Sequence, residues 1–444
     1  MSDQPLNVAV VGSGIAGLSA AWLLSKQHRV TLFERDQRLG GHSNTVDILT
    51  GSGRLAVDTG FIVFNKPCYP NLVNLFETLG VEHQSTDMSF GVSINEGQLE
   101  YAGADSLGPL LAQKRNLLRP RFWRMLADLV RFYRESDGWL TSLDDSVTLG
   151  ELLEQGKYGA GFRDDHLIPM GAAIWSTPAE QMVNYPARAF LQFCQNHGLL
   201  KLANRPQWQT VVGGSREYVR KMSAQINGDI LLGTGIARVE RHTDFVELTD
   251  EHGQTRRFDH VVLAGHADQS LAMLGDASAA ETRLLSQFRY EHNVAWLHSD
   301  PALMPKRKAA WASWCYLANR QQAQGKVAVS YWMNRLQNLP GETPILVTLN
   351  PWREPDEKLR YQRFDYQHPQ FNIPALEAQR QLWQLQGVNR TWFCGSYFGH
   401  GFHEDGVQSG LAVAEALGGV TRPWILEQPN SRIHVAPQPA AEAA

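Results

Sequence analysis

Residues 8–34 constrain the fold more than any other part of the chain. They read VAVVGSGIAGLSAA and then, after a short gap, VTLFE, which predicts an apolar strand, a glycine turn, an apolar helix and a second strand. Gly12 permits the tight turn, Gly14 lets the backbone approach a pyrophosphate, and Gly17 lets the helix pack closely on the strand. The helix N-terminus offers free N–H groups to phosphates, and Glu34 stands where an acid binds a ribose hydroxyl. The segment therefore predicts a bound dinucleotide.

The residues after Glu34 narrow the identity of the nucleotide. They are Arg35, Arg38, the pair Gly40-Gly41, and His42. An arginine beside paired glycines suits a second approach to a pyrophosphate, because the guanidinium can fork onto oxygens where glycine leaves room. This pattern resembles the FAD-binding opening of flavin-containing amine oxidases, carotenoid desaturases and protoporphyrinogen oxidases. Many amine oxidases have a second arginine where this chain has His42.

The far end of the chain carries a second motif of the same resemblance. Residues 391–417 read TWFCGSYFGHGFHEDGVQSGLAVAEAL, which again predicts a strand, a glycine-rich loop and an apolar helix. In the flavoproteins that it resembles, the last helix points its N-terminus at the pyrimidine edge of the flavin. A helix N-terminus there stabilises the negative charge of reduced flavin.

The resemblance implies FAD as cofactor and an α/β fold, in which a Rossmann-like FAD-binding domain is assembled from split segments beside an α+β substrate domain. We expect the FAD-binding domain to comprise 1–65, 205–290 and 385–428, the substrate domain 66–204 and 291–384, and the tail 429–444 to be disordered. We expect the cofactor contacts to come from Gly12, Gly14, Ile15, Ala16, Gly17, Glu34, Arg35, Arg38, Gly40, Gly41, His42, Ile236, Ala264, Gly395, Ser396, Glu404, Asp405, Gly406 and Val407. We expect Phe402 and His403 to face the flavin at the catalytic position.

Composition excludes several other classes of protein. The formal net charge of −4 over 444 residues argues against general nucleic-acid binding, which requires a basic surface. The four cysteines are scattered without a metal-binding spacing, so we expect reduced thiols, no metal site and a cytoplasmic protein. There is no second complete GxGxxG unit, so we expect the substrate itself to reduce the flavin.

The substrate is less constrained than the cofactor. Amine oxidases often hold a lysine near flavin N5, and only Lys308 is a candidate here. The motif Gly41-His42 and the run 402–406 are similar to a bacterial group of predicted NAD/FAD-binding proteins that often accompany cyclopropane-fatty-acid-synthase-like methyltransferases. That resemblance implies a small hydrophobic substrate with an unsaturated or methylated acyl chain. An amine or polyamine substrate stays open, and so does a flavin-binding protein without turnover.

Residues 114–134 suggest a contact with a membrane. They place seven basic residues among leucines and aromatic residues in a protein of negative net charge. An arginine-rich amphipathic helix of this kind suits peripheral contact with anionic lipid, here at the inner face of the membrane. The alternative is an ordinary amphipathic helix with its apolar face in the core. Pro120 divides the stretch into two segments.

Overall fold

The computed structural model describes residues 4–103, 107–175, 178–201, 204–319 and 328–435. The β-strands of these ranges are, in chain order, β1 Asn7–Val11, β2 Arg29–Phe33, β3 Thr45–Thr50, β4 Gly53–Asp58, β5 Phe64–Asn65, β6 His83–Thr86, β7 Phe90–Ile94, β8 Leu99–Gly103, β9 Trp208–Val211, β10 Gly228–Leu231, β11 Ile236–Arg241, β12 Val246–Asp250, β13 Thr255–Phe258, β14 His260–Leu263, β15 Arg289–His298, β16 Trp314–Ala318, β17 Ala328–Trp332, β18 Leu346–Leu349, β19 Arg360–Gln370 and β20 Thr391–Phe393. The α-helices are α1 Ile15–Leu24, α2 Pro70–Leu79, α3 Leu107–Leu110, α4 Pro120–Ser142, α5 Leu149–Gln155, α6 Ala160–Phe162, α7 Ile168–Trp175, α8 Ala179–Met182, α9 Ala187–Asn196, α10 Arg216–Ser223, α11 Ala267–Met273, α12 Ala279–Leu285, α13 Met333–Leu336, α14 Ile373–Gln379 and α15 His403–Leu417.

A five-stranded parallel sheet forms the first half of the molecule. Its strand order is β10-β2-β1-β14-β20, so it draws on three separated parts of the chain. The central strand β1 is buried from Val8 to Val11, as expected for a parallel strand covered on both faces. The split α/β architecture predicted from the two glycine motifs is therefore confirmed.

Helices α1 and α15 pack against each other beside this sheet. Every residue of α1 is buried, which agrees with its apolar sequence. Glycines make the close packing possible. A Cβ on Gly17 would lie 1.9 Å from the Gly12 carbonyl oxygen, and one on Gly410 would lie 2.2 Å from the Ala16 carbonyl oxygen. The contact places the N-termini of both helices next to each other.

A seven-stranded mixed sheet, in the order β19-β15-β18-β17-β16-β7-β8, forms the second half. Its strands β15, β16 and β17 are rich in tryptophan and tyrosine. Helices α4 to α9 lie in the same half and contribute to its main hydrophobic core. This half provides the α+β part of the predicted architecture.

The boundary predicted at residue 65 needs correction. Helix α2 lies in the range given to the substrate domain, but its Leu72 and Phe76 share a core with Trp22 and Tyr218 of the nucleotide-binding half. Strand β6 likewise pairs with β9. Sequence order alone could not show this, because Tyr218, one of these partners of α2, lies more than a hundred residues away along the chain.

The tail is also more ordered than its composition predicts. Arg432 forms a buried ion pair with Asp405, with Nε 2.7 Å from Oδ1. The Pro429 carbonyl oxygen accepts a hydrogen bond from Asn71 Nδ2, and Ile433 is buried. The predicted disorder is therefore wrong for 429–435, where a few specific contacts fix a segment without periodicity. Residues 436–444 lie outside the described residues.

Candidate cofactor and substrate site

A cavity of about 950 Å³ runs between the two halves of the molecule. It begins at the glycine turn after β1 and continues to the inner face of the seven-stranded sheet. The predicted site residues on its wall are Gly12, Gly14, Ile15, Ala16, Glu34, Arg35, Arg38, Gly40, Gly41, His42, Ile236, Ala264, Gly395, Ser396, Phe402 and His403. The structure thus brings together the motifs from both ends of the chain.

The glycine turn has the geometry that a bound pyrophosphate requires. Gly12 has φ +101°, a conformation that favours glycine. A Cβ on Gly14 would meet no protein atom within 4 Å, so the backbone there borders open space. Gly41 approaches from the other side, and its added Cβ would lie 3.1 Å from Gly14 Cα. Two glycine segments therefore enclose one narrow part of the cavity.

Glu34 is held in place by the turn itself. Its Oε2 accepts a hydrogen bond from the Ser13 backbone N–H at 2.9 Å, and also from the Ser13 hydroxyl. Its Oε1 accepts from the Asp36 N–H at 2.9 Å. The fixed carboxylate lies on the cavity wall with further lone pairs for a ribose hydroxyl. Ser13 was not predicted, although its position between Gly12 and Gly14 could have indicated it.

Arg38 supports the second glycine pair. Its Nη2 donates a hydrogen bond to the Gly41 carbonyl oxygen at 2.9 Å, and the side chain lines the cavity. This bond fixes the turn that carries Gly40, whose φ is +108°. Nη1 also donates to the Leu39 carbonyl oxygen at 3.4 Å, and the guanidinium keeps further N–H donors for an anionic group.

Five predicted contacts lie behind the cavity wall rather than on it: Gly17, Glu404, Asp405, Gly406 and Val407. Glu404 accepts from the backbone N–H groups of Asn71 and Leu72, both at 3.0 Å. Asp405 Oδ2 accepts from the backbone N–H groups of His400 and Phe402. Burial raises the pKa of both carboxyls.

Cofactor contacts by these five residues stay a prediction, and the structure shows what their side chains contact in the protein. Glu404 and Asp405 position the loop before α15. A Cβ on Gly406 would lie 2.7 Å from Ile15 Cγ2, so Gly406 permits helix packing, and Val407 is fully buried in the core. What reaches the cavity is the start of the helix, through Phe402 and His403.

The inner end of the cavity is a chamber with an aromatic wall. Phe402 stacks on Phe193 with ring centroids 4.6 Å apart, and Phe193 stacks on His197 at 3.9 Å. The apolar and aromatic residues on this part of the cavity wall are Ile62, Val63, Met88, Ala173, Ile174, Trp175, Phe193, His197, Leu199, Trp208, Trp314, Tyr331, Val347, Leu349, Tyr366, Phe371 and Phe402. The polar residues of the same wall include Thr59, His292, Asp365, Gln367, His368 and His400. Trp314 of β16 and Tyr331 of β17 bring the seven-stranded sheet to the cavity.

Two histidines on the cavity wall, His42 and His403, are buried in a way that favours their uncharged form. Burial lowers the pKa of His42 to about 4 and that of His403 to about 3. His403 stacks on Phe61 at 3.7 Å, and its Nε2 lies 2.9 Å from Ser43 Oγ and 3.0 Å from Tyr218 OH. This polar cluster fixes the side chain at the start of α15. No sequence motif indicated Ser43 or Tyr218.

Lys308 is the candidate for the lysine that amine oxidases often hold near flavin N5. Lys308 lies exposed in a 3₁₀ turn, Lys308–Ala310, and does not line the cavity. Within the described ranges no lysine lines this cavity.

The residues present fit FAD. Open space faces Gly14, a fixed carboxylate stands at the ribose position, and the N-termini of α1 and α15 border one cavity. Unpaired N–H groups at two helix N-termini favour the binding of anionic groups. The pyrophosphate of FAD and a reduced flavin are anionic groups of this kind.

Comparison with known solved structures shows the same fold. The structure of a CLA-producing fatty acid isomerase from P. acnes superposes with a TM-score of 0.65 and 14% sequence identity. The superposition covers 94% of this chain and 99% of the isomerase. The structure of putrescine oxidase with bound putrescine superposes with a TM-score of 0.66 and 15% sequence identity, over 93% of this chain and 99% of the oxidase. At such low identity the likeness concerns the fold alone.

Sequence comparison identifies the family. Over 259 residues the chain is 29% identical to AofH of Mycobacterium tuberculosis H37Rv, a protein named provisionally as a flavin-containing monoamine oxidase. The match covers 56% of this chain and 54% of AofH, so the chain spans about half the length of that relative. The sequence model described as flavin containing amine oxidoreductase matches residues 15–295, more than half of the chain. The chain therefore belongs to the family of flavin-containing amine oxidoreductases, which confirms the predicted resemblance and implies FAD as its cofactor.

Proposed function

We propose that the chain is an FAD-dependent oxidoreductase that oxidises a hydrophobic substrate, an unsaturated or methylated acyl chain. Bound FAD would accept a hydride from a substrate carbon and would be reoxidised by dioxygen or another acceptor. The protein supplies position and electrostatics to that chemistry. Its residues bind the cofactor at the glycine turns, direct the N-terminus of α15 to the cavity, and enclose the substrate between aromatic rings.

One observation carries the choice of substrate. The chamber offers no unpaired carboxylate to a substrate ammonium within the described part of the chain. Asp365 borders the cavity, but it pairs with His292 at 3.0 Å and with Arg363 at 2.9 Å, and its side chain is half exposed. Moving an ammonium ion into such a wall would cost free energy that no unpaired carboxylate compensates. An apolar chain gains about 0.8 kcal/mol for each buried CH₂ group.

An amine is the second candidate, because aromatic faces attract cations. Phe402 and Phe193 could bind an ammonium group through their π-faces. Family membership and the fold shared with putrescine oxidase also favour this candidate. The two candidates differ in what they need from Phe402: an acyl chain needs apolar area, whereas an ammonium group needs an aromatic face.

The primary experiment measures anaerobic bleaching of the flavin in purified holoprotein. Candidate substrates are methyl esters of monounsaturated and branched acyl chains of graded length, compared with diamines of graded length. For acyl substrates, each added CH₂ should raise the apparent affinity about fourfold until the chamber is filled. Bleaching by amines alone would refute the proposal, and bleaching by neither series would indicate a flavin-binding protein without turnover.

Two variants of Phe402 sharpen the distinction. With an acyl substrate, Phe402→Leu should keep most of the rate, because leucine retains apolar area, whereas Phe402→Ala should lower kcat/KM strongly. With an amine substrate, both variants should fail alike, because neither has a π-face. Flavin content and melting temperature of each variant serve as controls for cofactor binding and folding.

A further inference from the structure

The surface around the start of α4 differs from the rest of the protein in both charge and polarity. Residues 107–127 contain five basic residues and no acidic residue, in a chain of net charge −4. Three large apolar side chains are exposed in the same short stretch: Leu118 at 86%, Trp123 at 49% and Leu117 at 43%. These features occur together at a 3₁₀ helix, Lys114–Leu118, and the first turn of α4.

The 3₁₀ helix is tied to the protein by Asn116 at its centre and by the arginines Arg115 and Arg119. Asn116 is buried and donates a hydrogen bond to the Glu100 carbonyl oxygen at 3.0 Å. Arg115 and Arg119 donate to the Gln98 carbonyl oxygen at 2.5 and 2.8 Å. The leucines consequently face outward, which reverses the usual arrangement in a water-soluble segment. A monomer in water gains nothing from this reversal.

Trp123 is prepared for an apolar environment. Its indole Nε1 donates to the Leu117 carbonyl oxygen at 2.9 Å, so neither group is left without a partner when water is removed. The bond also holds the ring beside the leucines. Its neighbours on the helix, Phe122 and Met125, are buried, so the exposed face of α4 is clearly separated from the face in the core.

Among the residues that the structure describes, no acid forms an ion pair with Lys114, Arg115, Arg119 or Arg124. Arg115 and Arg119 are bound to backbone carbonyls, and Lys114 and Arg124 are exposed. Desolvation lowers the pKa of Arg119, repulsion from Arg115 and Arg307 adds to this effect, and attraction to Asp165 opposes it. Arg121 and Arg131, in contrast, pair with Asp165 and Asp128.

We propose that this basic-apolar patch, formed by Leu117, Leu118 and Trp123 with Lys114, Arg115, Arg119 and Arg124, docks on an anionic lipid bilayer. Leucine and tryptophan side chains enter the boundary between headgroups and acyl chains, and the basic side chains contact lipid phosphates. The arrangement is a shallow anchor. Within the described residues, no helix is long and apolar enough to cross a membrane.

The test uses flotation of the full-length holoprotein with vesicles of phosphatidylcholine, alone or mixed with phosphatidylglycerol. Binding should require the anionic lipid and weaken as salt is raised, because the Debye length falls from about 10 Å at 0.1 M to about 3 Å at 1 M. The double variant Lys114→Gln/Arg124→Gln should reduce partitioning about 30-fold at low salt, since each basic residue contributes about a fivefold factor. The matched control is Arg29→Gln/Lys358→Gln, which removes two exposed cations elsewhere.

The apolar part of the patch is tested separately. Leu117→Ser/Leu118→Ser should reduce partitioning at least about tenfold, whereas Leu49→Ser/Ile425→Ser should not, although Leu49 and Ile425 are 81% and 98% exposed. Brominated lipid should quench a fluorescence component that Trp123→Phe removes.

Wild-type protein that does not float with anionic vesicles at low salt would overturn the proposal. So would equal losses in the patch variants and their controls. A dimer in sedimentation equilibrium that Leu118→Ser dissociates, without vesicle binding, would show that a second copy of the chain covers the patch instead.

Discussion

Two glycines three residues apart should respond to substitution in opposite ways. Gly14 is the N-cap of α1 and Gly17 lies in its first turn, and both were predicted to serve the dinucleotide. In the structure, Gly14 faces open space, with no protein atom within 4 Å of an added Cβ. An added Cβ on Gly17 would lie 1.9 Å from the Gly12 carbonyl oxygen and 3.0 Å from Ala264 Cβ.

Gly14→Val should therefore leave the apoprotein folded and remove the cofactor. Gly14 has φ −61° and ψ 174°, values that other residues adopt easily. It is the N-cap of α1, where replacing glycine by an apolar residue costs at most about 1 kcal/mol. The valine side chain would occupy the space reserved for the pyrophosphate, so we expect the dissociation constant for FAD to rise at least about 100-fold.

Gly17→Ala should instead damage the fold. Relieving the contact requires β1 and α1 to separate by about 1.3 Å, the difference between 1.9 Å and an ordinary contact of about 3.2 Å. Overpacking of this kind costs about 3 kcal/mol, and the better helix propensity of alanine returns about 1 kcal/mol. The free energy of unfolding of the apoprotein should fall by about 2 kcal/mol.

The assays are flavin absorbance of the purified protein, titration of apoprotein with FAD, and thermal unfolding of the apo form. Gly138→Ala is the control, because Gly138 also borders open space but lies on α4, away from the cavity. If Gly14→Val protein binds FAD as the wild type does, the pyrophosphate does not lie at this turn. If Gly17→Ala apoprotein is fully stable, close packing is not the role of Gly17.

Three further predictions concern the cofactor, the tail and pH. Glu34→Ala should raise the dissociation constant for FAD between about 10-fold and 150-fold, from 1.5–3 kcal/mol of lost hydrogen bonds, and an unchanged constant in the titration would contradict it. Arg432→Met leaves Asp405 buried without its partner and should lower the free energy of unfolding by about 3–5 kcal/mol. The melting temperature should fall and proteolysis of the tail should become faster. Full stability of the variant would show that the ion pair contributes nothing. Burial lowers the pKa of His42 to about 4, whereas the pKa is about 6.5 in the unfolded chain, so the native state binds fewer protons than the unfolded state. The contribution of His42 to the free energy of unfolding is therefore present above pH 6.5. It is lost as pH falls toward 4, by up to about 3 kcal/mol. His42→Gln should flatten the dependence of apoprotein melting temperature on pH over that range, and an equally steep dependence in the variant would contradict it.

The nucleotide-binding part was predictable because its constraints are local. Gly12 must adopt a positive φ, Gly14 must lie open, and Glu34 must follow at the end of β2. Each of these geometric constraints acts within one βαβ unit, so a sequence pattern of about thirty residues is enough to predict them. The same holds for the strand, loop and helix at the C-terminus.

Side-chain direction at the second motif was not predictable in the same way. Glu404 and Asp405 stand in a cofactor motif, yet their carboxylates point to Asn71 and to the backbone of the preceding loop. The partner of Glu404 lies 333 residues away along the chain. A motif indicates that a helix begins at the cofactor, but it does not distinguish backbone contacts from side-chain contacts. For the same reason, composition did not predict the docked tail, because a few specific contacts, among them the ion pair between Arg432 and Asp405, fix it.

The basic stretch at 114–134 shows what helical periodicity predicts and what it does not predict. Helical spacing predicted an arginine-rich face, and α4 has its apolar residues Phe122 and Met125 in the core. Spacing could not show which cations find acids, because Asp165, the partner of Arg121, lies on another element. Nor could it show that the preceding 3₁₀ helix would bury Asn116 and expose Leu118. The free cations and the exposed apolar side chains therefore coincide at a place that is set by hydrogen bonds to the β7–β8 turn, and only the folded chain reveals it.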